Sequence, residues 1–154
     1  MTLHALVDLL HSTSTGTLAH FDLPESSLDR TYGPGKWSVR RILHHLTDAE
    51  VVLCQRISSV ISGETSVKGF DQDAWCAALD YDGEPLPLRK QAYAAVRELN
   101  IHLIEKHFER EGLRLFSHST YGERTLQQEM EKVALHNRDH LEQIRTALHG
   151  TDRS

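Results

Sequence analysis

The sequence predicts an all-α protein, a bundle of four helices with a long crossover between the second and third. Four long segments repeat apolar residues at helical spacing, and glycines and prolines separate these segments. We find no segment that alternates apolar and polar residues as a strand does. Helices of this length bury their apolar faces against one another. The chain has 154 residues, which suits one core, so we predict a single domain over residues 1–154.

The four helices are predicted at residues 2–20, 38–62, 88–111 and 124–148. The second opens at Ser38, a residue type that caps helix N-termini, and glycines follow the last three helices. Pro24, Gly33, Pro34 and Gly35 interrupt the chain between the first two helices.

A polar crossover over residues 63–87 joins helices two and three and holds a short helix near residues 73–79. A connection this long removes the expectation that the helices it joins are antiparallel. Its aromatic residues, Phe70, Trp75 and Tyr81, either anchor it by hydrophobic contact or line a pocket.

Composition narrows the function classes. Hydrophobic residues make up 39% and charged residues 25% of the chain, as in ordinary soluble proteins. The net charge of -5 argues against a nucleic-acid binder, which needs a basic surface. No apolar run reaches the length of a membrane span, and the N-terminus has no signal-peptide pattern. We therefore expect a cytoplasmic protein that binds neither membrane nor nucleic acid.

Eleven histidines are an unusual number for this length, and their helical positions distinguish them. On a helical projection, His45 lies at the border of the apolar stripe of helix two, whereas His44 points to solvent. His136 and His140 lie one turn apart on one border of helix four. The side chains of these three histidines are therefore candidates to lie close together between helices two and four.

Three converging imidazoles fit a metal site with open coordination positions. Residues at i and i+4 chelate one ion, and a third imidazole from another helix leaves positions for water or substrate. Such an ion activates water or a thiol. Asn137 stands where a zinc metalloprotease HExxH motif has its glutamate, so we exclude that class. In a chain this rich in histidine, the alternative is that His136 and His140 are ordinary, partly exposed helix residues.

Two carboxylates near these histidines are candidate catalytic residues. Asp48 follows His45 by one turn and is a candidate to orient a ligand. Glu129 precedes His136 by two turns and is a candidate general base. The alternative for both is an ordinary surface charge. Asn137 points into the apolar stripe, where a buried amide needs partners, so we expect it to tie helices together.

Two segments resemble the signatures of the DinB/YfiT-like superfamily. Residues 37–50 read WSVRRILHHLTDAE, with a Trp-Ser start followed eight residues later by the His-Leu pair of His45. Residues 136–144 read HNRDHLEQI, an HxxxH motif followed by Gln-Ile. The two segments have the order and separation of the family pattern, and the four-helix layout covers nearly the whole chain.

The resemblance implies a four-helix bundle of the DinB/YfiT type, often a homodimer. It implies that His45, His136 and His140 ligate a divalent metal ion, commonly zinc or nickel. Relatives include thiol-dependent S-transferases and isomerases, and many others are described only as metal-dependent hydrolases. By this analogy we favour an enzyme that activates a low-molecular-weight thiol, with water activation for hydrolysis as the alternative. A non-catalytic metal-binding or dimerisation bundle also stays open.

Overall fold

The four long helices form where the sequence predicts them. The structure is a computed structural model that describes residues 1–150. Along these residues the elements are α1 (Leu3–His20), α2 (Glu25–Leu28), α3 (Val39–Ile61), β1 (Ser66–Val67), α4 (Gln72–Ala78), α5 (Leu86–Glu111), β2 (Leu115–His118), β3 (Gly122–Thr125) and α6 (Leu126–His149). Within this range, no helix is both long and apolar enough to cross a membrane. The predicted four-helix bundle and the short helix in the crossover are confirmed.

Capping side chains stabilise the N-termini of α3 and α6. The hydroxyl of Ser38 accepts a hydrogen bond from the backbone N–H of Arg41, which confirms the predicted start of α3. Thr125 and Gln128 form a reciprocal capping box at the start of α6. These caps satisfy backbone donors that the first helical turn leaves without partners.

The long crossover makes its two flanking helices, α3 and α5, parallel. Asp48 on α3 pairs with Arg89 near the start of α5. Farther along, Arg114, which follows α5, donates to the carbonyl oxygen of Val60 at the other end of α3. Both helices therefore advance in the same direction, as a crossover of this length permits.

A polar layer divides the bundle core into two apolar clusters. The cluster nearer the sheet includes Leu10, Ile57, Ile104 and Met130, and the other includes Ile42, Leu46, Tyr93 and Ile144. Between them lie the buried polar side chains of Glu50, Arg97, Asn100 and Asn137. Arg97 donates to Glu50 and, at 2.7 Å, to Asn137, which also bonds to Thr17 and Tyr93. The expectation that Asn137 ties helices together is confirmed.

A small sheet beside the bundle corrects the expectation that the chain has no strands. β1 pairs in parallel with β2, and β2 pairs antiparallel with β3. Its strands are two to four residues long, too short for alternation to stand out in the sequence. The last helix begins at Leu126, two residues after its predicted start near residue 124, because Arg124 belongs to β3.

Candidate metal centre

His45, His136 and His140 converge between two antiparallel helices. His45 lies on α3, while His136 and His140 lie one turn apart on α6. The Nε2 atom of His136 is 3.1 Å from Nε2 of His45 and 3.1 Å from Nε2 of His140. One ligand atom from each residue falls within 4.8 Å of the other two. The structure thus brings together the three residues that the sequence singled out.

The donor set fits a divalent metal ion. The Nδ1–H of His140 donates to the amide oxygen of Gln143 at 2.8 Å, so the lone pair of its Nε2 is free to face the centre. Nitrogens about 2.0–2.1 Å from a tetrahedral ion lie about 3.3 Å apart, close to the two separations of 3.1 Å that His136 makes with His45 and His140. One cation between the three Nε2 atoms would bind a lone pair from each ring in the tautomer that carries its proton on Nδ1.

Burial keeps the triad neutral. It lowers the pKa of His45 to about 3 and that of His136 to about 2, with repulsion from the neighbouring imidazoles as a second cause. Burial also lowers the pKa of His140, against the opposing effect of its bond to Gln143. Neutral imidazoles are the protonation state that binds metal, so the triad needs no deprotonation near pH 7.

Aromatic side chains and a cavity surround the triad. Phe70 from the crossover stacks on the ring of His45 at 5.9 Å, and Trp75 packs against Phe70 at 4.9 Å. Trp37 contacts the edge of His45 at 5.3 Å. A cavity of about 210 Å³ is lined by His45, His136 and Phe70 among others. A small molecule bound there lies directly against the triad.

Comparison with known proteins identifies the family to which this chain belongs. The sequence profile of the DinB superfamily matches residues 9–144, most of the chain. The chain belongs to the DinB superfamily. Its fold matches that of YfiT from Bacillus subtilis at 21% identity with a TM-score of 0.84, over 94% of this chain and 85% of that one. YfiT is described as a probable metal-dependent hydrolase with an unusual four-helix bundle topology.

Relatives within the superfamily carry similar descriptions. The protein OB0413 of Oceanobacillus iheyensis is 28% identical over 127 residues, which are 82% of this chain and 73% of that protein. The protein OB0782 of the same organism is 27% identical over 80% of this chain and 72% of its own length. Both are named as candidate metal-dependent hydrolases. These names describe the relatives, and the corresponding feature of this chain is its histidine triad.

Asp48 is engaged away from the triad. Its carboxylate accepts hydrogen bonds from the hydroxyl of Tyr81 and the guanidinium of Arg89. The buried Nδ1 of His45 has no hydrogen-bond partner among residues 1–150, so Asp48 does not orient that ring in this structure. A helical projection gives the direction of Asp48 but not the partners that the crossover and α5 bring to it.

Glu129 is fully buried between two guanidinium groups. Nη1 of Arg56 lies 3.1 Å from its carboxylate, and Nε of Arg124 lies 3.3 Å away. It is not part of the cluster formed by His45, His136 and His140. The structure thus gives Glu129 a charge-balancing position rather than a place beside the imidazoles.

Two histidines have surroundings that the sequence did not reveal. His44, predicted to face solvent, is buried because the crossover covers it: its ring stacks on Tyr81 at 5.1 Å. His118 is buried in β2 and lines the cavity together with Lys132. For Lys132 a signal existed in the sequence, because it precedes His136 by four residues on the same helical face.

Proposed function

We propose that this chain is a metal-dependent enzyme that activates a low-molecular-weight thiol for transfer to a small electrophile. The convergence of His45, His136 and His140 on one point beside a cavity carries this proposal. Zinc or nickel is the ion we expect, because the family resemblance implies one of these two and three imidazoles are suitable ligands for both. When bound, such an ion acts as a Lewis acid and lowers the pKa of a thiol or water that reaches it.

The residues around the triad hold the reactants and limit the access of water. The cavity is lined by His45 and His136, so a nucleophile bound in it would contact the triad. Phe70 and Trp75 form an apolar wall against His45. Such a wall favours an electrophile with an apolar body and strengthens electrostatic interactions by excluding water.

The positions of the carboxylates favour a thiol as the nucleophile. Asp48 and Glu129 are both held by arginines, so neither is a free general base beside the triad. A free thiol has a pKa of about 8.5 and free water one of about 15.7, so a thiol depends less than water on a general base when a metal ion acidifies it. Hydrolysis is the second candidate function, and the descriptions of the relatives as metal-dependent hydrolases favour it.

Metal content and reactivity test the proposal together. We expect elemental mass spectrometry of the untagged protein to find about one divalent ion per chain. A His136→Ala/His140→Ala variant should lose it, whereas His102→Ala, which removes an exposed histidine on α5, should retain it. No ion in the wild-type protein after reconstitution with zinc or nickel contradicts the proposal.

Substrate screens separate the two chemistries. Metal-loaded protein is assayed with small thiols and a chromogenic electrophile, and in parallel with ester and amide substrates. Thiol turnover that His45→Ala abolishes supports the thiol reaction. Ester or amide hydrolysis without thiol turnover selects the second candidate, and a metal-loaded protein inactive in both screens indicates a binding bundle.

A further inference from the structure

The cavity beside the triad has a positively charged wall. Arg56 and Lys132 line it with His118, and no aspartate or glutamate lines it among residues 1–150. Glu129, which lies behind this wall, faces two guanidinium groups, those of Arg56 and Arg124. One carboxylate thus balances two arginines, and Lys132 adds a further positive charge.

The hydrogen bonds of His118 identify its unused ring atom as a donor. Its Nδ1 accepts a hydrogen bond from the backbone N–H of Thr120 at 3.0 Å, so this atom carries a lone pair. The neutral ring therefore bears its proton on Nε2. That Nε2 is buried and has no hydrogen-bond partner among the described residues, although the side chain lines the cavity. A buried N–H donor without a partner costs free energy that an acceptor recovers.

The protonation of His118 is set by the positive groups that surround it. Burial lowers its pKa first, and Arg56, Lys132 and Arg124 lower it further, while Glu129 opposes them. The neutral ring with its Nε2–H donor is therefore the form present near pH 7. A neutral donor amid positive charges suits an anionic acceptor better than a neutral one.

Lys132 provides a second donor close to the triad. It lies one helical turn before His136, so both side chains project from the same face of α6. Its ammonium group lies 4.5 Å from the centroid of the Tyr121 ring, and it has no salt bridge within residues 1–150. The side chain is half-buried, so an anion that reaches it meets a partly desolvated charge.

We propose that this cavity is an oxyanion subsite, in which a carboxylate or phosphate of the substrate accepts hydrogen bonds from His118 Nε2–H and the Lys132 ammonium. The substrate is thus an anion whose reacting atom lies about one helical turn from its charged group. Phe70 and Tyr121, which also line the cavity, accommodate an apolar body between the two ends. The position of the reacting atom rests on the function proposed above, whereas the anion subsite needs no metal.

Matched ligands test the subsite in metal-free protein. Benzoate and benzamide have nearly the same shape and differ in charge, and phenyl phosphate distinguishes phosphate from carboxylate. Each is titrated calorimetrically in buffer freed of metal by a chelating resin. A hydrogen bond to a charged group contributes about 1.5–3 kcal/mol, so we expect benzoate to bind about 10- to 100-fold more tightly than benzamide. Equal affinities, or no saturable binding of either anion, would overturn the proposal.

Variants assign the binding to the two donors. Lys132→Met should weaken anion binding about tenfold, whereas Lys106→Met, which removes an exposed lysine on α5, should leave it unchanged. His118→Phe should weaken it similarly, and His118→Gln, which keeps an N–H donor, should restore part of the loss. Thermal unfolding verifies that each variant folds. An anion affinity indifferent to both Lys132→Met and His118→Phe in folded protein would place the anion elsewhere and refute the subsite.

The outcome is independent of the metal-dependent reaction. If the protein binds no metal, the calorimetric comparison of benzoate with benzamide still decides the anion subsite. If metal and thiol turnover are present but benzamide binds as well as benzoate, the subsite fails while the proposed function stands.

Discussion

Acid should destabilise the metal-free protein through its histidine triad. The pKa of His45 is lowered to about 3 and that of His136 to about 2, mainly by burial, whereas an unfolded chain keeps both near 6.5. Between these values the unfolded state binds more protons than the folded state. The free energy of unfolding therefore rises with pH across this window and falls as the solution is acidified.

The loss of unfolding free energy can be estimated from the folded and unfolded pKa values of the two histidines. Each of the two histidines contributes a slope that approaches about 1.4 kcal/mol per pH unit once the pH is below about 6. Between about pH 7.5 and 5.5, the pair removes about 3 kcal/mol, a large part of the stability of an ordinary domain. His140, whose pKa is also lowered, adds in the same direction.

Urea unfolding at a series of pH values, followed by circular dichroism in the presence of EDTA, measures this loss. Other groups also contribute to the pH dependence, since burial raises the pKa of Glu50 and gives a slope of opposite sign. The informative quantity is therefore the difference between the wild-type protein and a His45→Leu/His136→Leu variant. Between about pH 7.5 and 5.5, the free energy of unfolding of the variant should decrease by about 3 kcal/mol less than that of the wild-type protein. Parallel pH profiles for the two proteins would refute the assignment of buried, neutral imidazoles.

Two further substitutions test the hydrogen bond that orients His140 and the buried ion pair between Arg97 and Glu50. Gln143→Leu removes the acceptor of His140 Nδ1–H and should lower metal affinity about 10- to 100-fold, measured by competition with a chromophoric chelator. Gln127→Leu on the same helix is its control, and equal affinities in the two variants contradict the role of Gln143. Arg97→Met leaves Glu50 buried without its charge partner and should cost about 3–5 kcal/mol in urea unfolding. Adding Glu50→Gln should recover part of that loss, and wild-type stability in the Arg97→Met single variant would contradict this account.

The sequence predicted the features that repeat or that have local signals. Apolar spacing located the four helices, and Ser38 marked the start of α3 within a residue. The spacing of His136 and His140 predicted that they share one face of a helix, and the border position of His45 made it a candidate third member. These predictions succeed because helical periodicity fixes directions around an axis. The single domain, the homodimer and the identity of the metal stay predictions.

The sequence did not predict contacts between side chains that lie far apart along the chain. Asp48 meets Tyr81 and Arg89, which the crossover and α5 supply from 33 and 41 residues away. His118 enters the cavity only because β2 pairs with β1 across the chain. Such contacts depend on topology, which the apolar pattern does not encode. A single sequence therefore predicted the imidazoles but not the charged groups that hold the carboxylates.

The buried polar layer explains why three histidines on two helices meet. Asn137 follows His136 directly, and its bonds to Thr17, Tyr93 and Arg97 fix the rotation of α6 about its axis. A shift of one residue rotates a helix by about 100°, which would place Asn137 where His136 lies and leave its amide without these partners. Arg97 also donates to Glu50, which lies about one and a half turns after His45 on α3. One guanidinium therefore fixes the rotation of both α3 and α6 about their axes. The apolar clusters tolerate small rotations of a helix, whereas these directional bonds do not. The geometry of the triad is thus specified from inside the bundle rather than by the ligands alone.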